Sequence, residues 1–121
     1  MSKKVLFIDD DIVLQEVVGR LLKSKFNVVS ANTGQKGIEK AIQFQPDVIV
    51  LDIILPNENG WEVAETLKKD PRTKSIPIVV ASGAGSFFED NPHIEKSLIA
   101  EYVRKPYDVD ELVTAINKVA Q

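Results

Sequence analysis

Val48-Ile49-Val50-Leu51-Asp52 is a run of four branched apolar residues that stops abruptly on a carboxylate. Side chains of a strand alternate between two faces, so a strand is apolar at every position only when both faces are covered. Such a run belongs inside a parallel sheet with helices above and below it. The same signature recurs on either side. Upstream, Val5-Leu6-Phe7-Ile8 ends in Asp9-Asp10-Asp11, and downstream an apolar run over 76–81 ends at Ser82. Shorter runs at 28–29 and, more weakly, 102–103 add two further strands.

The intervening segments change period. Leu14, Val17, Val18, Leu21 and Leu22 form a helical stripe, as do Ile38, Ala41 and Ile42. Trp61, Ala64 and Leu67 form another, and Val109, Leu112, Val113 and Ile116 a last one. Asp108 followed by Glu111 has the spacing of a capping box. Asn91-Pro92 marks the start of a short fourth helix over about 92–99, with Gly83-Ala84-Gly85-Ser86 as a loop before it. Strand and helix thus alternate throughout, which calls for a doubly wound α/β sheet with helices on both faces.

Composition narrows the function classes. A chain of 121 residues is one domain's worth, and 44% apolar with 27% charged residues is an ordinary globular balance. The absence of cysteine excludes disulfides, thiolate metal sites and cysteine nucleophiles. No apolar run is long enough to span a membrane, and Met1-Ser2-Lys3-Lys4 leads into a strand with no signal-peptide pattern, so a cytoplasmic location is expected. With 15 basic against 18 acidic residues, net charge −3 and the basic residues scattered, direct nucleic-acid binding is not expected.

Ligands of open parallel sheets bind at the carboxyl ends of the strands. Asp9, Asp10 and Asp11 follow the first strand, Asp52 the third and Ser82 the fourth, while Lys105-Pro106 follows the fifth. These ends are neighbours if the strand order is 2-1-3-4-5. Clustered carboxylates repel one another and therefore take up protons or a cation. Hard oxygen donors without His or Cys favour Mg²⁺. Metal and Lys105 together would accept an anion such as a phosphoryl group, with the Ser82 hydroxyl on one of its oxygens. A carboxylate so placed is a plausible nucleophile, since it can form an acyl phosphate. Singly, each residue has a plainer reading: Asp10 or Asp11 as helix cap, Asp52 as turn residue, Ser82 as loop hydroxyl, Lys105 as solvated charge.

With these residues in this order, the chain resembles the receiver domain of two-component response regulators along residues 1–121. The resemblance rests on Asp9-Asp10, on Asp52-Ile53-Ile54-Leu55-Pro56-Asn57-Glu58-Asn59-Gly60 against a D-x-x-[ML]-P-x-x-[DN]-G pattern, on Ser82-Gly83, and on Tyr102-Val103-Arg104-Lys105-Pro106. It implies a chemotaxis-regulator-like, flavodoxin-like (βα)5 three-layer sandwich with a five-stranded parallel sheet in the order 2-1-3-4-5. Asp52 would be the phosphoacceptor, taking its phosphoryl group from a phosphohistidine on a sensor histidine kinase or phosphotransfer protein. Asp10, Asp52 and the carbonyl of Ile54 would hold Mg²⁺, and Asp9 would act largely through water. Lys105 would pair with Asp52 and then with the phosphoryl group, and the Lys105–Pro106 bond would be cis. Ser82 would swing to a phosphoryl oxygen and Tyr102 would turn into the space it vacates. The output is a surface made by the fourth helix, the fifth strand and the last helix.

By this reading the domain is a switch and not an enzyme in the ordinary sense, catalysing only its own phosphorylation and dephosphorylation. Its target is a downstream output protein or a missing output domain; the ending at Gln121 mildly favours a stand-alone regulator. A monomer or weak dimer without membrane or nucleic-acid contact is expected. Asp11 is assigned to capping, Trp61 and Phe87-Phe88 to packing, and His93 to a solvated helix position. Ser97-Leu98-Ile99-Ala100 departs from the family's Ala-Gly-Ala turn before Tyr102. Ile54 and Ala84 are apolar or small where polar side chains can position an attacking water, so ordinary or slow self-dephosphorylation is expected.

Two other classes share parts of the pattern. Asp9-Asp10-Asp11-Ile12-Val13 also fits the D-x-D-x-[TV] opening of haloacid-dehalogenase-type phosphatases, with Asp9 as nucleophile and Asp11 as acid/base. That reading lacks a late acidic metal motif, since Asp108 and Asp110 sit in a helix-capping context, and it leaves Asp52 unexplained. A flavodoxin-like electron carrier needs a hydroxyl- and glycine-rich phosphate loop where three carboxylates stand here. An interaction module that has lost phosphorylation has no feature in its favour.

Overall fold

The computed structural model describes residues 3–55, 58–82, 99–105 and 107–120, without the side chains of Ile54 and Ser82. Its five-stranded sheet is parallel throughout. β1 (Lys4–Ile8) lies between β2 (Asn27–Ala31) and β3 (Val48–Leu51); β4 (Ile78–Ser82) follows β3, and β5 (Glu101–Arg104) forms the far edge. Numbered within the sheet, the order is 2-1-3-4-5, as expected. A short antiparallel pair, Ile54–Leu55 with Glu58–Asn59, stands apart from it.

Helices cover both faces. α2 (Gly34–Phe44) and α3 (Gly60–Lys69) pack on one side over Leu6, Ile8, Ile49, Leu51, Ile78 and Val80. α1 (Ile12–Lys23) and the C-terminal helix (Val109–Val119) pack on the other over Val5, Phe7, Val48, Val50, Val79 and Ala81. Consecutive strand residues thus alternate between two apolar layers, which is why Val5–Ile8, Val48–Leu51 and Ile78–Ala81 contain no polar residue. Each fully buried Leu, Ile or Phe contributes roughly 1.5–3 kcal/mol of burial free energy, and Leu6, Phe7, Ile8, Ile49, Leu51 and Ile78 are all fully buried.

Two local expectations are corrected. The α1 stripe is narrower than its sequence suggests: Val18 and Leu22 face the core, but Val17 and Leu21 point outward with Ile12 and Val13. One face of the helix suffices to cover β1 and β2, so the second apolar row is left over. Asp108 occupies the N-cap position of the C-terminal helix without a side-chain cap bond; its carbonyl accepts from the Glu111 and Leu112 N–H groups instead. The predicted fourth helix, the loop from Gly83, and Phe87, Phe88, His93 and Pro106 lie outside the described residues, as does the Lys105–Pro106 bond.

Register places the site. Ile8 pairs with Leu51, and Leu51 with Val80, so Asp9 and Asp52 leave the sheet side by side. The chain then folds back: the Gly60 N–H donates to the Ile53 carbonyl at 3.0 Å. A Cβ on Gly60 would lie 2.4 Å from both the Cα and the carbonyl oxygen of Ile53, which are backbone atoms with no room to yield. Gly60→Ala is therefore expected to cost about 2 kcal/mol in urea unfolding, in the range of overpacking substitutions. An unchanged midpoint would show that this chain reversal is not held tightly.

Candidate functional site

Asp9 is the first residue past β1 and is completely buried; Asp52, the first past β3, is 5% exposed. A buried carboxylate is sustained by partners, and Asp9 has one on each oxygen. Its Oδ1 accepts the Asp11 N–H at 2.9 Å, and its Oδ2 accepts from the Lys105 Nζ at 2.8 Å. The same ammonium donates to Asp52 Oδ2 at 3.0 Å. Lys105 thus bridges two strand ends from a third. Burial alone pushes its ammonium down, but the bonds to Asp9 and Asp52 and the attraction of both carboxylates outweigh this and leave its pKa above the ordinary lysine value.

Asp10 completes the cluster from a more open position. Carboxylate oxygens of Asp9, Asp10 and Asp52 lie within 4.8 Å of one another. Three carboxylates against one ammonium leave a formal excess of two negative charges in a largely dry recess. The donor set is all oxygen, hard and anionic, which fits a Mg²⁺ ion that keeps several waters and does not fit zinc or copper.

Backbone supports fix these positions. The Asp52 N–H donates to the Ile8 carbonyl at 2.9 Å, and the Asp9 N–H to the Ala31 carbonyl at 3.1 Å. The Gln15 side-chain amide donates to the carbonyls of both Asp9 and Ala31, each at 2.6 Å, and so ties α1 to the ends of β1 and β2. Asp11 caps α1 by accepting the Leu14 N–H at 3.0 Å, as expected.

Of the other candidates, Ile54 is held two residues beyond Asp52 by its pairing with Asn59. Ser82 ends β4 opposite Arg104 in β5, so its backbone is at the correct edge. Tyr102 is half-buried and packs against the layer beneath α2 and α3, while its neighbour Val103 faces the C-terminal helix. Trp61 is a buried member of the α2–α3 layer, as its packing assignment required.

Sequence reasoning paired Lys105 with Asp52 and placed Asp9 at a remove; the direct Lys105–Asp9 bond was missed. It also missed Tyr107, just past Lys105. The Tyr107 hydroxyl is buried with no hydrogen-bond partner among the described residues. Burial pushes its pKa up to about 12, with Lys105 opposing and Asp9 and Asp52 reinforcing.

A five-stranded 2-1-3-4-5 sheet with paired acids, an acceptor-like Asp and a bridging Lys at one edge describes a known class of signalling domain. Residues 5–117 match the family model of the response regulator receiver domain, and the chain belongs to that family. It is 34% identical over 114 residues to the DNA-binding dual master transcriptional regulator RpaA of Synechocystis sp., covering 93% of this chain and 47% of that protein. The chain spans about half the length of the curated transcriptional regulators it matches.

Solved structures agree on the fold. The chemotaxis response regulator CheY4 of Vibrio cholerae superposes with a TM-score of 0.87 at 25% identity, covering 98% of this chain and 99% of that one. The receiver domain of the sensor histidine kinase PA1611 from Pseudomonas aeruginosa PAO1 gives 0.87 at 20% identity, covering 99% and 98%; that structure has a magnesium ion in its active site cleft. Among the described residues no helix is long and apolar enough to cross a membrane.

Removing Lys105 would take away the ammonium that bridges the buried carboxylates of Asp9 and Asp52. Lys105→Ala is expected to cost about 3 kcal/mol in urea at pH 7 with chelator present, the lower end for a broken buried pair. The folded-state pKa of Lys105 lies above its unfolded value. The wild-type advantage should therefore be complete below the ordinary lysine pKa and vanish as pH climbs through the raised one. Equal stability of the two proteins at pH 8 would show that Lys105 does not compensate the carboxylates.

Proposed function

We propose that this domain is a phosphorylation-controlled switch in which Asp52 accepts a phosphoryl group from the phosphohistidine of a histidine kinase or phosphotransfer protein. The observation that carries the proposal is the single ammonium of Lys105 held between Asp9 and Asp52 at the carboxyl edge of the sheet. In the transfer, a carboxylate oxygen of Asp52 bonds to phosphorus as the phosphorus–nitrogen bond to the donor imidazole breaks and the electron pair leaves on that nitrogen. Mg²⁺, held by Asp10, Asp52 and the Ile54 carbonyl, supplies charge neutralisation for the phosphoryl oxygens.

The chain's own groups do the rest. Lys105 orients Asp52, then follows the negative charge onto a phosphoryl oxygen. Asp9, with a partner already on each oxygen, anchors Lys105 and acts on the metal through water. The Ser82 hydroxyl bonds a phosphoryl oxygen, and Tyr102 moves into the space this opens, which carries the change to a surface formed by the segment before β5, β5 itself and the C-terminal helix. The domain extends over residues 1–121, acts in the cytoplasm as a monomer or weak dimer, and passes its signal to a separate output protein or an attached output domain. Half-length coverage of relatives such as RpaA makes an attached domain as consistent as a separate one.

Intact mass after incubation with acetyl phosphate tests this reading. A single phosphoryl adduct is expected in Mg²⁺ and none in chelator, and Asp52→Asn should abolish it. An adduct that survives Asp52→Asn and disappears in Asp9→Asn would move the chemistry to the phosphatase-like alternative.

A further inference from the structure

The geometry points to Glu58 as a positioning residue that holds the loop after Asp52 in its metal-binding shape by strapping it to α2, an inference that rests on the phosphoacceptor reading above. The loop needs such a strap. Its internal ladder among the described residues is the pairing of Ile54 with Asn59 and Leu55 with Glu58, and a hairpin of that size is at best marginally stable by itself. Asn59 and Gly60 tie its far end to α3 and to Ile53: the Asn59 side chain accepts the Trp61 N–H at 2.9 Å, and the Gly60 N–H reaches the Ile53 carbonyl. Neither contact reaches beyond α3 and the loop itself.

Glu58 does. Its Oε2 accepts the Gly34 N–H at 2.6 Å and its Oε1 accepts the Gln35 N–H at 3.1 Å, so one carboxylate spans the first two residues of α2. These are orphan donors at the positive end of a helix, where a carboxylate is favoured. The cap residue Thr33 serves the next one, accepting the Lys36 N–H at 3.1 Å. Glu58 therefore supplies from another part of the chain what the α2 cap leaves undone.

The choice of α2 as anchor matters because of what α2 rests on. At Gly37 the helix packs on Ile8, the residue before Asp9, so closely that a Cβ there would meet the Ile8 side chain at 2.4 Å. One helix is thus in contact with both halves of the acidic site: with Asp9 through Ile8, and with the loop carrying Ile54 through Glu58. Supports behind a metal's direct ligands typically cost ten- to a hundredfold in affinity when removed. Loosening Glu58 frees the Ile54 carbonyl relative to Asp10 and Asp52 without touching a carboxylate of the cluster.

Mg²⁺ titrations of the wild type, Glu58→Ala and Glu58→Gln, followed by amide NMR, test this. Glu58→Ala is expected to weaken Mg²⁺ binding by roughly tenfold. Glu58→Gln, which keeps one acceptor oxygen, should fall between it and the wild type. The rate of phosphoryl uptake from acetyl phosphate should drop in Glu58→Ala at limiting Mg²⁺ and return to the wild-type value at saturation. The Gly34 and Gln35 amide signals should shift with Mg²⁺ in the wild type and stay still in Glu58→Ala. A variant that loses stability towards urea while its Mg²⁺ affinity is unchanged would make Glu58 a cap and nothing more, overturning the inference alone. A wild type with no saturable Mg²⁺ binding would overturn both the inference and the phosphoacceptor reading.

Discussion

The Lys105 ammonium is set between two buried carboxylates, and the arrangement of the site rests on that bridge. Asp9 and Asp52 emerge from adjacent parallel strands whose register leaves them side by side, where two buried carboxylates repel one another. The Lys105 ammonium, 2.8 Å from one and 3.0 Å from the other, offsets that repulsion and lets both stay where the sheet puts them. It offsets only part of it, because Asp10 adds a third carboxylate. In the proposed function, the residual negative charge is what would draw a divalent cation to the recess and, with the cation, a phosphoryl group.

The sandwich positions these groups through its topology. Helices on both faces bury every side chain from Val5 to Ile8 and from Val48 to Leu51, so the next place where a polar residue can stand is just past each strand. Because the sheet is parallel, those places share one edge. The connections that follow are then pinned: Gln15 holds the carbonyls at the ends of β1 and β2, and Gly60 and Glu58 hold the chain after Asp52. The rigidity of the acidic site is thus spread over α1, α2 and α3 and does not reside in the carboxylates themselves.

Much of this was legible in sequence because it follows from short-range chemistry. An apolar run ending in Asp announces a buried strand and a polar strand end, and Val48 to Asp52 or Val5 to Asp9 can be read without a partner. Residues whose roles depend on distant elements were harder. Glu58 carries no sequence mark that separates it from any exposed glutamate; only the folded chain brings it to Gly34, which is distant in sequence. The direct bond from Lys105 to Asp9 was missed because sequence order suggests no preference between two carboxylates at one edge. The outward row on α1, Val17 and Leu21, was misread as core because helical period reveals an apolar stripe without saying which of two adjacent rows the sheet covers.

The most direct test of Asp52 as acceptor is chemical trapping. Borohydride reduces an aspartyl phosphate to homoserine with loss of phosphate, leaving a stable mark at the acceptor. After phosphorylation in Mg²⁺ and reduction, peptide mass spectrometry should find homoserine at position 52 and nowhere else. Homoserine at position 9, or none at any aspartate in a protein that had gained a phosphoryl group, would contradict it.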